Sequence, residues 1–190
     1  TVQEESKPRS PIIELSWTVD NDDGDETVYE LRARREGELR WRLLTATDTP
    51  LTATKFKWNT ETFPDGYYRL RVTASDRRAN PNGSRRESHK TTSLFAVDNQ
   101  KPQLDGLNVR YPAASARASD ALSAIAEAAF SVDDGPWQVV GSSDGLFDDQ
   151  TEILKLELPK GLSSGVHTLA IRVADEAGNI ASTSVSFRAP

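Results

Sequence analysis

The chain contains no cysteine and no methionine, and only two of its 190 residues are histidine. Without cysteine the chain offers no disulfide, no thiol nucleophile and no soft metal ligand. His89 and His167 are too few for a histidine metal triad. Composition alone leaves a Ser-His-Asp site open. The paired carboxylates that glycoside hydrolysis needs occur only in acidic surface runs, and a small sandwich implies no cleft between them. These absences predict a protein that is not an enzyme and has no cofactor.

Long apolar runs and an excess of basic residues are also lacking. No stretch approaches the roughly 18 apolar residues of a membrane span, so we expect no membrane insertion. Residues 1–99 hold 16 basic and 17 acidic side chains, and residues 100–190 hold 7 and 12. Neither half has the positive charge of a nucleic-acid binder. The polar start without Met indicates a piece of a longer protein, and a targeting signal upstream would fall outside this sequence.

One segment occurs twice, 99 residues apart and without a gap. DGYYRLRVTASDRRAN occupies residues 65–80 and SGVHTLAIRVADEAGN occupies residues 164–179. A period this long exceeds a solenoid repeat, so it predicts two tandem domains of similar build. We place a linker or disordered terminus at 1–10, the first domain at 11–99 and the second at 100–190.

Alternation of apolar and polar residues predicts strands in both halves. Ile13, Leu15, Trp17 and Val19 alternate with polar neighbours, as on a strand with one buried face. Turn residues separate about seven short strands in each half, which is typical of a sandwich. Residues 113–129 are rich in Ala, but their Ser and Asp content argues against a helix. Residues predicted to point into the first core include Leu39, Trp41, Leu43, Phe56, Trp58, Tyr68 and Leu70.

The order of Trp17 on an early strand and Gly66-x-Tyr68-x-Leu70-x-Val72-x-Ala74 on a late strand resembles fibronectin type III and related immunoglobulin-like domains. Tyr68 looks like the tyrosine-corner residue of that family, and His167 takes its place in the second half. The fold implied is two tandem antiparallel β-sandwiches.

A second, narrower resemblance covers residues 11–188. The segments LSWTVDNDDGDETVYELRAR, PDGYYRLRVTASD, AEAAFSVDDGPW and HTLAIRVADEAGN are similar to a fibronectin type III-like and bacterial Ig-like tandem. That tandem is found at the C-terminal end of bacterial secreted or surface proteins, often after a β-propeller. The resemblance implies an extracytoplasmic accessory or spacer role without catalytic residues.

An acidic run at residues 20–26 is a candidate calcium site. Asp20, Asp22, Asp23 and Asp25 concentrate hard oxygen ligands on a short loop. The spacing does not match an EF-hand, because position 31, twelve residues from the start, is Leu. A solvated turn between strands explains the same residues, and we favour it.

A basic cluster follows the first copy of the repeat. Arg77, Arg78, Arg85 and Arg86 occupy a loop that can contact an anion or a partner. A merely solvated loop is the alternative, and the absence of interleaved aromatic residues argues against single-stranded nucleic acid. Asp76 and Asp175, at the end of the two repeated strands, are predicted to cap the turns that follow.

Trp137 is the tryptophan that we expect to be exposed, since it starts a strand after Pro136. An exposed indole can stack on a sugar ring, so Trp137 and Tyr67 favour a carbohydrate-binding accessory module as the alternative function. The leading prediction is a non-catalytic structural or protein-interaction module of a larger bacterial extracytoplasmic protein. Its partners would be other domains of the same chain, an extracellular protein or a glycan, and the module would be a monomer.

Overall fold

The computed structural model describes residues 10–80 and 83–190, so most of the terminus predicted at 1–10 lies outside the described residues. The chain divides into two compact units, Pro11–Val97 and Asp98–Pro190. Every regular element in the described ranges is a β-strand. In the same ranges, no helix has the length and apolar character needed to cross a membrane.

The N-terminal unit contains two antiparallel sheets. Strand β1 pairs with β4, and β3, β2, β5 and β6 follow one another in the second sheet. Strand β7 pairs with the first part of β5, on the edge that β6 uses further along. The strands are β1 (Ile12–Ser16), β2 (Val28–Arg35), β3 (Arg42–Leu43), β4 (Lys55–Asn59), β5 (Gly66–Ser75), β6 (Glu87–Thr91) and β7 (Phe95–Val97).

The C-terminal unit has the same build with longer strands. One sheet has the order β12-β9-β8 and the other the order β11-β10-β13-β14, with every neighbouring pair antiparallel. The strands are β8 (Gln103–Arg110), β9 (Ala113–Ser119), β10 (Ile125–Val132), β11 (Gln138–Val140), β12 (Thr151–Glu157), β13 (Gly165–Asp175) and β14 (Ile180–Ala189). Residues 113–129 therefore form parts of two strands, as predicted.

The repeated segment forms the central strand of the larger sheet in each unit. Strands β5 and β13 begin at Gly66 and Gly165, whose φ angles are 145° and 151°, a region that side-chain-bearing residues rarely adopt. At Gly66 an added Cβ would also lie 2.5 Å from Nε of Arg35. Both copies of the repeat therefore need glycine at the same point, where the chain turns into the strand.

Each unit has its own core, contributed by both of its sheets. In the N-terminal unit, Trp58 makes edge-to-face contacts with Phe63, Tyr68 and Phe95, at centroid distances of 4.9, 5.6 and 6.2 Å. The C-terminal core is aliphatic for the most part, with buried alanines on β9 facing larger side chains. Its buried members are Ala114, Ala116, Ala118, Ile125, Ala128, Phe130, Val140, Leu154, Leu156, Leu158, Leu169, Ile171, Val173 and Phe187.

The prediction that Trp41 lies in the core is wrong, and so is the inward register of its neighbours. Leu39 is 92% exposed and Leu43 is 37% exposed, while Leu44 packs against the core instead. The guanidinium groups of Arg34 and Arg71 lie over the Trp41 ring, on the outer face of the sheet. Apolar and polar residues alternate around Trp41 whether its indole packs in the core or against arginines on the outer face. Alternation alone therefore predicts the wrong face.

The fold is all-β, with two tandem Ig-like, fibronectin type III-like antiparallel sandwiches. In each unit the sheet that contains the repeated strand faces the smaller sheet across the core. Turns and loops between strands therefore gather at the two ends of each sandwich, and the predicted site residues lie there.

Candidate functional site

The acidic run at 20–26 and the basic cluster at 77–86 face each other at one end of the N-terminal sandwich. Arg78 Nη1 lies 2.9 Å from Glu26 Oε1, and Arg86 Nη1 lies 3.6 Å from Asp23 Oδ2. All four side chains are about half exposed or more, so each ion pair contributes little to stability. Two features that the sequence offered as separate sites are thus partly neutralised by each other.

Asn80 joins the two loops through its side-chain amide. Its Nδ2 donates to Asp25 Oδ2 at 2.7 Å and to Asp76 Oδ2 at 3.0 Å. Asp76 also accepts a hydrogen bond from the backbone N–H of Arg86 at 2.7 Å. Asp76 therefore caps the turn between β5 and β6 while its partner Asn80 fixes the acidic loop. This network uses the predicted ligand Asp25 as a structural acceptor.

A groove of about 750 Å³ lies between these loops. Asp20, Asp22 and Asp23 line one part of it, and Asp76 and Arg86 line another. Arg77 and Arg85 are exposed, and neither has an ion-pair partner among residues 10–80 and 83–190. The groove therefore presents both signs of charge and is wide enough for a loop or a small polar ligand. Calcium binding by Asp20, Asp22, Asp23 and Asp25 stays a prediction.

The described ranges do contain three carboxylates close enough to share a cation, at one end of the C-terminal unit. Oxygen atoms of Asp98, Asp120 and Asp175 lie within 4.8 Å of one another, and Asp98 and Asp175 are buried. Each could offer one ligand oxygen of the kind that calcium accepts. A second group, formed by Asp144, Asp148 and Asp149, is fully exposed on a loop.

Hydrogen bonds already hold the buried group in place. Asp175 accepts from both the backbone N–H and the side-chain amide of Asn179 at 2.8 Å. The same amide donates to the backbone carbonyl of Asp98 at 3.3 Å, and Ser123 Oγ donates to the Asp98 carboxylate. Burial raises the pKa of Asp98, while hydrogen bonds from Ser123 and the Gln100 N–H lower it and the charges of Asp120 and Asp175 raise it. The group thus ties the first residues of the unit to the turn after β13.

His167 forms the corner of the C-terminal unit, in the position that Tyr68 holds in the N-terminal unit. Tyr68 Oη donates to the carbonyl oxygen of Pro64 at 2.6 Å, four residues back. His167 Nε2 lies 2.8 Å from the carbonyl oxygen of Ser163, also four residues back. Its other nitrogen, Nδ1, lies 2.6 Å from Asp133 Oδ2. The corner is therefore kept in both units, with different chemistry.

The two ring nitrogens of His167 both face oxygen acceptors, a geometry that favours the doubly protonated ring. The bond to Asp133 and the bond to the Ser163 carbonyl raise the pKa of His167, and the same contact lowers the pKa of Asp133. The Asp133 backbone adopts a φ of 51° in the turn after β10, which brings its carboxylate to the ring. Asp133 also accepts from the Thr168 N–H at 2.8 Å.

This Asp-His pair does not extend to a serine nucleophile. The atom of Ser163 that contacts the ring is the main-chain carbonyl, which cannot attack a substrate. Residues 141–145 and 161–165 both match Gly-x-Ser-x-Gly, a match that the sequence reasoning missed. Neither lies between a strand and a helix, the context that exposes a catalytic serine in that motif.

Trp137, the predicted sugar-stacking residue, immediately precedes β11, which is an edge strand. Its side chain is 39% exposed, and the Arg172 guanidinium lies 4.5 Å from the ring centroid. Val139, two residues on, is 87% exposed. One face of the indole is therefore covered by a cation, while the neighbouring strand surface remains open.

Comparison with known proteins gives two solved structures of low similarity. No protein-family model and no curated protein matches the chain. The solved chicken interferon gamma receptor alpha chain is 13% identical, with a TM-score of 0.36, over 98% of this chain and 100% of that one. The chicken CNTN1 FN1-FN3 domains are 11% identical, also with a TM-score of 0.36, over 96% of this chain and 64% of that one. Such low similarity says nothing about what this chain binds.

Proposed function

We propose that the chain is a non-catalytic structural or protein-interaction module of a larger bacterial extracytoplasmic protein. The observation that carries this proposal is that polar side chains which could serve catalysis instead form hydrogen bonds within the fold. His167, Asp133, Asp175 and Asn179 all hold loops or turns of their own sandwich. A scaffold whose titratable side chains hold its own corners and turns is suited to presenting its loops and sheet faces to a partner.

The sequence resemblance supplies the bacterial and extracytoplasmic part of the proposal. The test is subcellular fractionation of the full-length bacterial protein. We expect recovery from the periplasm, the cell surface or the medium, whereas exclusive recovery from the cytoplasm would contradict the proposed setting. The isolated chain should also fail to hydrolyse glycoside, ester and peptide substrates. Hydrolytic activity that co-purifies with the chain would exclude a non-catalytic role.

A carbohydrate-binding accessory module is the second candidate. The exposed side chains of Trp137 and Val139 on the edge strand β11 favour it, because sugar rings stack on an accessible indole. Binding to a glycan array that is lost in Trp137→Ala and retained in Trp41→Ala would support this candidate. Equal binding by the parent and the Trp137→Ala variant would exclude Trp137 as the platform.

A further inference from the structure

The outer face of the larger N-terminal sheet carries four arginines at its centre. Arg32 and Arg34 lie on β2, and Arg69 and Arg71 lie on β5, each half-buried and next to at least one buried residue. The register places Arg32 opposite Arg71 and Arg34 opposite Arg69. Like charges directly opposite each other destabilise a sheet. The fold therefore keeps a square of four cations at a cost, and we call it the arginine square.

Trp41 lies across the arginine square and contacts two diagonal members. The Arg71 guanidinium carbon lies 4.2 Å from the ring centroid and that of Arg34 lies 4.7 Å from it. Attraction to the π face offsets part of the repulsion between the cations. A contact between the guanidinium charge and the π face takes up none of the N–H bonds of the arginine, which can still donate. The indole therefore holds two arginines in place without using their hydrogen-bonding capacity.

The four arginines differ in their remaining partners. Arg32 forms an ion pair with Glu30, and Arg69 donates to the carbonyl oxygen of Thr92 at 3.2 Å. Within the described residues, Arg34 and Arg71 have no carboxylate at ion-pair distance. The only donor contact of Arg71 there is a long one, 3.4 Å from Nε to Thr91 Oγ1. Two oriented guanidinium groups thus lack an anionic partner.

We propose that the arginine square is a docking surface for an acidic segment of a partner protein, bound in an extended conformation. Arg34 and Arg71 are diagonal neighbours on paired strands, a relation that separates residues by about 7–8 Å. Alternate side chains of an extended peptide repeat about every 6.5–7 Å, which is close to that separation. Carboxylates at every second position match that spacing and accept paired N–H bonds from a guanidinium group. This inference rests on the proposed role as an interaction module and names the partner chemistry.

The test uses the whole chain and a synthetic peptide with glutamate at every second position. Calorimetric titration should show binding that weakens as salt is added, because screened charges attract less. The double variant Arg34→Lys, Arg71→Lys keeps the net charge but loses planar stacking and paired donation, so we expect about tenfold weaker binding. Arg110→Lys with Arg117→Lys, on the C-terminal unit, is the matched control and should bind as the parent does.

A further variant tests the orientation of the two arginines separately from their charge. Trp41→Leu leaves every arginine in the chain but removes the ring that orients Arg34 and Arg71, so binding should weaken about threefold or more. Thermal melting checks that each variant is folded; since Trp41 lies outside the core, we expect its replacement to preserve the sandwich.

Three outcomes would overturn the proposal. One is equal affinity of the parent and the double lysine variant, which would indicate general charge attraction. Another is equal binding of a peptide of the same composition with its glutamates in one block. The third is binding of a heparin-derived oligosaccharide in the absence of peptide binding, which would assign the surface to a sulfated glycan. The fractionation and turnover tests are independent of these results, so failure here would leave the module role standing.

Discussion

At the residue scale, the exchange of tyrosine for histidine at the corner gives one unit a titratable support. Both side chains bond a carbonyl oxygen four residues back, but only the imidazole of His167 also reaches a carboxylate, that of Asp133. Both bonds of the ring are donated only when it carries two protons. We therefore expect His167 to link the stability of the C-terminal unit to pH, beside the shifted carboxyl groups of Asp98 and Asp133.

We predict that the melting temperature of the C-terminal unit falls as pH rises above the ordinary histidine pKa of about 6.5. The folded pKa of His167 is raised, so its contribution is complete below that value and is lost as pH passes through the folded pKa. Calorimetry across this range measures the effect. His167→Tyr should flatten the profile and His89→Asn should not, and an unchanged slope in His167→Tyr would contradict the linkage.

At the scale of elements, the turns that follow the repeated strands use one device in two settings. Asn80 and Asn179 occupy equivalent positions, and each donates its amide to the aspartate that ends its strand. Asn179 and Asp175 are buried, whereas Asn80 and Asp76 are partly exposed. An aspartate followed by an asparagine four residues later therefore contributes a different free energy of unfolding in each unit.

Replacing these asparagines should separate the two settings. Asn179→Ala leaves a buried carboxylate oxygen of Asp175 and the carbonyl of Asp98 without that donor, so we expect a loss of about 2–3 kcal/mol in the free energy of unfolding. Asn80→Ala should cost about 1 kcal/mol, because water can reach its partners. Urea denaturation compares the two variants, and a larger loss in Asn80→Ala would refute the assignment.

At the scale of the whole molecule, the two cores have no buried residue in common among residues 10–80 and 83–190. Leu70 and Leu169 occupy equivalent positions of the repeat and are each almost completely buried, one in each core. Each unit thus contains the apolar contacts that a small domain needs for folding.

We predict that Leu70→Ala and Leu169→Ala each destabilise their own unit by about 2–5 kcal/mol. Calorimetry of the parent should show two transitions. Leu70→Ala should lower one of them, the transition of the N-terminal unit, and Leu169→Ala should lower the other. A single transition that both substitutions lower equally would show that the units unfold together.

The sequence predicted the repeated strands well, because alternation and a Gly-containing turn are local signals. It could not place Trp41, since the stack with Arg71 depends on the pairing of β2 with β5. Nor could it join Asp98 to Asp175 or Glu26 to Arg78, because contacts between residues so far apart in sequence leave no local pattern. The inward face of the repeated strands could be read from the chain, whereas the register around Trp41 and the contacts between distant side chains could not.

The corner also has a genetic aspect. A tyrosine codon becomes a histidine codon by a change of its first base alone, so a single nucleotide change can exchange the side chains found at Tyr68 and His167. Either side chain reaches the carbonyl that closes the corner. The corner position can therefore change between histidine, which titrates near neutral pH, and tyrosine, which does not, without passing through a residue that leaves the corner carbonyl unbonded.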